Sequence, residues 1–258
     1  HAVLTGAIVL ELEHNVTVIR RELEFLDNHL SHYPAGFLQT LAEHFDGIRI
    51  GIVKALEGSA EAGSLDTLLS SLPNDITVWG GNLQHPSLSG FKAMDLLASE
   101  DYLWKNAGIT AQCAVSLADS IWKDNRSGSS VLIIGWGRIG KQLARILDRM
   151  NCTVTIASQK EEHLSQAEYA GYKTIYTDQL CHCDLTFSVI FNTAPAVVIP
   201  EACASSFQSS LKIDLASCRG IEGPDVVWAR GLPGTMMPEK SGALIASTIL
   251  HALKEETL

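Results

Sequence analysis

The sequence predicts an α/β chain of two domains, the C-terminal one a doubly wound parallel sheet. Three observations predict it. Short apolar runs recur along the chain with helical or loop stretches between most of them. A glycine-rich hexad stands between one such run and an amphipathic segment. A polar turn, Asp124-Asn125-Arg126-Ser127-Gly128-Ser129, divides the chain near its middle.

Before that turn, residues 7–10, 48–53 and 76–79 read as strands, and residues 15–29, 37–45, 64–72 and 90–98 as helices. They suggest a smaller three-layer α/β domain. Residues 110–122 read as a long helix with Ala114, Leu117, Ala118 and Ile121 on one face. A boundary in the turn gives a first domain of residues 1–124, which includes this linker helix and takes the substrate or a partner. The second domain is residues 125–258.

After the turn, Ser130-Val131-Leu132-Ile133-Ile134 is a continuous apolar run of the kind buried on both faces of a parallel sheet. Leu143, Ile146, Leu147 and Met150 follow at helical spacing. Residues 153–157 are β-branched and strand-like, and residues 161–170 read as a helix stopped by Gly171. Further strands are expected at 173–176, 187–191, 211–215 and 226–228, and a last helix at 241–254. Alternation of this kind builds right-handed βαβ units.

Composition narrows the function. Hydrophobic residues make up 46% of the 258 and charged residues 19%, so a packed core is expected and disorder is not. The formal charge is −10 with no Lys/Arg cluster, which argues against a nucleic-acid backbone or an anionic membrane surface as partner. The apolar run at residues 7–10 is closed by Glu11 and Glu13, too short for a signal peptide or a membrane span. A cytoplasmic protein is expected. The chain opens at His1 rather than Met, so its true start is expected to be missing.

None of the six cysteines forms a CxxC pair. Cys181-His182-Cys183 has the residue types of a metal tract, but a one-residue gap strains two ligands on one tetrahedral ion. No metal is expected, and the cysteines read as reduced and structural. His14, His44, His85 and His163 show no triad or ligand spacing and read as solvated or core histidines.

Chemistry enters with Gly135-Trp136-Gly137-Arg138-Ile139-Gly140, a GxGxxG hexad directly after a buried strand and directly before an amphipathic helix. Gly135 permits the tight turn, Gly137 lets backbone approach a pyrophosphate, and Gly140 allows close helix–strand packing. The helix N-terminus then faces the phosphates. That makes the second domain dinucleotide-binding.

Ser158, Gln159 and Lys160 stand where an NAD-binding chain places Asp or Glu on the ribose 2′-hydroxyl. A hydroxyl, an amide and an ammonium suit a 2′-phosphate instead, so NADP is expected over NAD. Asn192, Thr193 and Pro195 end one strand and Ser217 follows the next, on the side of the sheet where ligands bind. Asn192, Thr193 and Ser217 are candidates to contact nicotinamide or substrate. Arg138, Arg219 and Lys240 are the cations best placed to meet substrate carboxylates, and a rigid loop with Gly234 precedes the last helix. No residue stands out as general acid or base.

Four segments in this order resemble the A subunits of dipicolinate synthase from spore-forming bacteria: residues 131–140 (VLIIGWGRIG), 191–195 (FNTAP), 213–217 (IDLAS) and 231–242 (GLPGTMMPEKSG). The resemblance covers residues 101–253. Earlier, the chain has Leu12-Glu13-His14 where the family carries a glycine-rich turn, and Thr110-Ala111-Gln112-Cys113 where the family is closer to Thr-x-Glu-Gly. The segment from Cys218 to Arg230 is shorter than the family's.

The resemblance implies an NADP-type nucleotide in the second of two Rossmann-like domains. It also implies a role, shared with a flavoprotein partner subunit, in making pyridine-2,6-dicarboxylate from a dihydro- or hydroxytetrahydro-dipicolinate precursor. By position, Gly135, Gly137 and Gly140 would hold the pyrophosphate and Ser158 with Lys160 would lie near the 2′-phosphate. Asn192, Thr193, Pro195, Ser217 and Gly234 would line the nicotinamide and substrate cleft. A homo-oligomer is expected. Two other functions fit the same residues: an imine or 2-hydroxyacid dehydrogenase of this fold, and a nucleotide-sensing subunit without catalysis.

Overall fold

A computed structural model describes residues 8–10, 50–52, 77–81, 83, 86–122, 127–182 and 184–256. The helices expected at 15–29, 37–45 and 64–72 lie outside the described residues.

The first sheet has four strands, β1 (Ile8–Leu10), β2 (Ile50–Ile52), β3 (Thr77–Gly80) and β4 (Lys92–Asp95), in that spatial order. β1 runs antiparallel to β2, and the other pairs are parallel. The three strands expected before residue 80 are therefore present. The helix expected at 90–98 is replaced by β4. Lys92, Ala93, Met94 and Asp95 pair with Thr77, Val78, Trp79 and Gly80. Ala, Met and Leu favour helices in isolation, but ladder hydrogen bonds to β3 outweigh a propensity difference of a few tenths of a kcal/mol per residue. Asp95 then ends the strand: its carboxylate accepts from the Leu97 N–H at 2.8 Å and starts a short 3-10 turn, Leu96–Ala98.

Helix α1 (Glu100–Ile121) begins ten residues before the expected start at Thr110. Ser99 supplies the signal, its hydroxyl accepting from the Tyr102 N–H at 3.2 Å, with Glu100 and Asp101 in the first turn.

The second sheet is built from β5 (Ser130–Ile134), β6 (Thr153–Ser158), β7 (Lys173–Tyr176), β8 (Val189–Asn192), β9 (Leu211–Asp214) and β10 (Val226–Trp228). Its spatial order is β10-β9-β8-β5-β6-β7, all parallel. Chain order within this sheet reads 3-2-1-4-5-6 from the β7 edge, the doubly wound arrangement in which a crevice opens where β5 and β8 diverge. Helices α2 (Arg138–Arg149) and α3 (Glu161–Tyr169) follow β5 and β6.

Val131, Leu132, Ile133 and Ile134 are fully buried, as the continuous apolar run predicts. Leu132 and Ile134 share a cluster with Leu180, Ile190, Ile199 and Phe207. Each such side chain contributes about 1.5–3 kcal/mol by leaving water. Register sets one row across the carboxyl edge of the sheet: Ile175, Ala157, Ile134, Asn192, Asp214 and Trp228.

Two helices close the chain, α4 (Leu232–Met236) and α5 (Pro238–Glu256). α5 starts three residues before the expected Ser241, because the fixed φ of Pro238 suits a first helical position. Among the described residues, backbone packing groups those of 106–232 as one compact unit and those up to 105 with 233–256 as the other. The boundary expected at 124/125 lies inside the first of these. Much of α1 packs with the six-stranded sheet's unit: Ala107, Ala111, Ala114 and Ala118 are buried, and a Cβ on Gly108 would stand 4.0 Å from Gln142 of α2. α5 instead touches the 3-10 turn at Leu96–Ala98. Among the described residues, no helix is long and apolar enough to cross a membrane.

Candidate functional site

The turn between β5 and α2 carries the hexad, and its three glycines have three different reasons to be glycine. Gly135 has φ 101° while its N–H donates to the Ala157 carbonyl, so an L side chain there would be strained. A Cβ on it would also meet the Thr193 hydroxyl at 2.5 Å. A Cβ on Gly140 would overlap the carbonyl of Gly135. Gly137 is the N-cap of α2, has no side-chain cap, and a Cβ on it would have nothing within 4 Å. An uncapped helix N-terminus thus faces open space across a glycine, which is what close approach of a pyrophosphate requires. Arg138 and Ile139, both half-buried, open the helix. Trp136 is a correction: its ring is buried edge-on against Tyr172, with centroids 5.6 Å apart, so only its backbone faces the cradle.

At the end of β6, Ser158 is buried and its hydroxyl accepts from the Lys160 N–H at 3.2 Å. The same hydroxyl lies 3.3 Å from Nδ1 of His163, a residue the sequence marked only as solvated or core. His163 is held below its ordinary pKa, first by burial and then by repulsion from Lys160; Glu162 opposes this and Lys141 adds to it. Lys160 and Lys141 are therefore close enough to His163 to act on its charge. Spacing could have found His163, since it lies in the first turn of α3, five residues past Ser158.

Beyond the carboxyl ends of β6, β7 and β8 a cavity of about 410 Å³ is lined by Gln159, Tyr176, Thr177, Cys181, Val197 and Pro200 among others. Its size and mostly apolar walls suit a nucleobase. Cys181 is not a free thiol. It is disulfide-bonded to Cys203, with Cα atoms 5.2 Å apart, against the expectation of reduced cysteines throughout. Two neighbouring 3-10 segments, Thr177–His182 and Glu201–Phe207, bring together residues 22 apart in sequence.

Asn192 is a second correction. Its side chain is fully buried and committed: Nδ2 donates to Asp214 Oδ1 at 2.9 Å and to the Ala194 carbonyl, and Oδ1 accepts from the Ala194 N–H. It braces the floor of the crevice through these bonds. Thr193 likewise donates its hydroxyl to the Ile134 carbonyl at 2.9 Å. Asp214, which the sequence passed over, is the hub of this floor. Besides Asn192, its carboxylate accepts N–H groups from Ala216, Gly220 and Ile221. Pro195 and Arg219 are exposed and Ser217 is half-buried on the same unit. Gly234 on α4 and Lys240 on α5 belong to the other unit.

A model of the TrkA-N domain family matches residues 131–184. Among the A subunits of dipicolinate synthase, that of Bacillus subtilis (strain 168) is 26% identical over 173 residues, covering 64% of this chain and 58% of the relative. The chain therefore matches less than two thirds of that relative's length. Among solved structures of these proteins, the one from Bacillus halodurans superposes with a TM-score of 0.65 at 21% identity, covering 73% of this chain and 69% of that one. The dipicolinate synthase A chain from Bacillus subtilis gives 0.64 at 23% identity, covering 79% and 73%. The resemblance seen in the motifs extends over those 173 residues of sequence and to the fold.

Proposed function

We propose that this chain is a nicotinamide-dinucleotide oxidoreductase resembling the A subunits of dipicolinate synthase, with NADP as cofactor and a cyclic dihydro- or tetrahydro-dipicolinate type of dicarboxylate as substrate. The observation that carries the proposal is the glycine cradle at Gly135, Gly137 and Gly140, set at the divergence point of a doubly wound sheet. When bound, the nicotinamide supplies hydride exchange.

The chain's own part is binding and orientation. Gly137 and the first turn of α2 receive the pyrophosphate, with Arg138 beside it. Ser158, Gln159, Lys160 and His163 surround the 2′-phosphate. The Asn192–Asp214 floor holds the backbone of Thr193, Pro195 and Ser217 in place beneath the nicotinamide and substrate. On the same unit, Arg219 completes the proposed substrate contacts. By likeness to the family, the same proposal includes a homo-oligomer and a flavoprotein partner subunit.

Calorimetric titration of the full chain with NADPH and with NADH tests the reading. Micromolar NADPH binding that is lost in a folded Gly137→Val variant supports it. Unchanged affinity in that variant places the nucleotide elsewhere.

A further inference from the structure

Two arginines share one indole. Arg219 Cζ lies 5.2 Å and Arg230 Cζ 5.3 Å from the ring centroid of Trp228. The ring is fixed, because its Nε1 donates to the Ala216 carbonyl at 3.1 Å, and it remains partly open to solvent. Among the described residues no carboxylate pairs with either guanidinium, although acidic residues outnumber basic ones by ten in the chain. Like charges gathered without a counter-charge repel, and the indole face offsets that repulsion only in part.

Asp214 sets both arms. Its carboxylate takes the N–H of Gly220, next to Arg219, and its backbone carbonyl takes the N–H of Ala229, next to Arg230. Trp228 pairs in register with Asp214, and Asp214 with Asn192, so the cluster stands on the carboxyl edge of the sheet where ligands bind. Planar guanidinium forks match carboxylates bidentately, and the indole that both forks cover holds them at one place.

We infer that Arg219, Trp228 and Arg230 form a receptor for a planar ring bearing two carboxylates, one guanidinium to each. This rests on the proposed function and names the residues that would select its substrate. Asp214 acts as a positioning residue through the two backbone N–H groups it holds. Arg230 and Trp228 carry no motif, so they enter only through their place on the sheet edge.

The test is calorimetry on the full chain with pyridine-2,6-dicarboxylate, pyridine-2-carboxylate and inorganic phosphate, each with NADP present. The variants are Arg219→Gln, Arg230→Gln, the double variant and Arg230→Lys, with NADPH affinity measured in all of them. The parent is expected to bind the diacid about tenfold or more tightly than the monoacid, and each single Gln variant to lose about tenfold or more. Arg230→Lys recovers less than the full affinity, because an ammonium lacks the fork. NADPH affinity stays unchanged throughout. Diacid affinity unaltered in the double variant, or no diacid binding by a parent that binds NADPH, overturns the receptor alone. Phosphate binding as tight as the diacid also overturns it, leaving a general anion site. Absence of NADPH binding in the parent overturns the proposed function beneath it.

Discussion

The carbonyl oxygen of Gly135 occupies the place that a methyl group on Gly140 would need. One glycine directly follows β5 and the other lies in the first turn of α2, so their contact sets how closely the helix seats on the sheet. Gly140→Ala is expected to cost about 1–3 kcal/mol, since backbone on the strand side cannot yield as a side chain could. A Cβ on Gly137 would meet nothing within 4 Å, so Gly137→Val should lower the urea midpoint less than Gly140→Ala, by the weaker N-cap alone, while removing NADPH binding. Urea melts beside calorimetry separate the two effects. Equal loss of stability in both variants would contradict this division of roles.

Cofactor choice is expected to turn on Ser158. The parent should prefer NADPH to NADH by roughly tenfold or more, the worth of one hydrogen bond to a charged group. Ser158→Asp keeps an acceptor for the Lys160 N–H and adds a negative charge where the 2′-phosphate would sit, so the preference should reverse. Equal affinities in the parent would end the NADP assignment.

His163 gives a pH signature. Its folded pKa lies below its ordinary value, so its contribution to stability is present above that value and lost as pH falls beneath it. NADP should raise this pKa by placing a phosphate beside the ring, and NAD should leave it where it is. A proton NMR titration of the imidazole, assigned with His163→Gln, reads both. An identical response to the two nucleotides would show that the 2′-phosphate lies away from His163.

The Cys181–Cys203 bond should survive as a crosslinked peptide in a non-reduced proteolytic digest. By closing a loop of about 22 residues it should contribute on the order of 3 kcal/mol. Cys203→Ala is expected to lower the urea midpoint accordingly and to weaken NADPH, because Cys181 lines the cavity assigned to the nucleobase. Alkylation of both thiols in the untreated protein would disprove the crosslink.

The six-stranded sheet was legible because its central strand is apolar at every buried position from Val131 to Ile134 and is followed at once by the glycine hexad. Strand β4 was not, because Ala93, Met94, Leu96 and Leu97 are helix formers and only pairing with β3 makes part of that segment extended. Position at a strand end put Asn192 on the carboxyl edge of the sheet, where it stands. It could not show that the side chain turns inward to Asp214, a partner 22 residues away. The disulfide escaped for a similar reason: spacing along the chain says nothing of two short helical turns meeting in space. Arg230 became visible only once the fold had set it beside Trp228.

Asp214 also bears on the order of assembly. Its carboxylate is fully buried and gathers donors from β8 and from the turn that follows β9. A chain that buries β9 before β8 has docked strips that carboxylate of water with one donor missing. A chain that docks β8 and β9 without the turn leaves it short of three more. Each partial structure buries a carboxyl group short of its donors, so β8, β9 and the following turn are expected to close together, leaving half-built sheet edges rare.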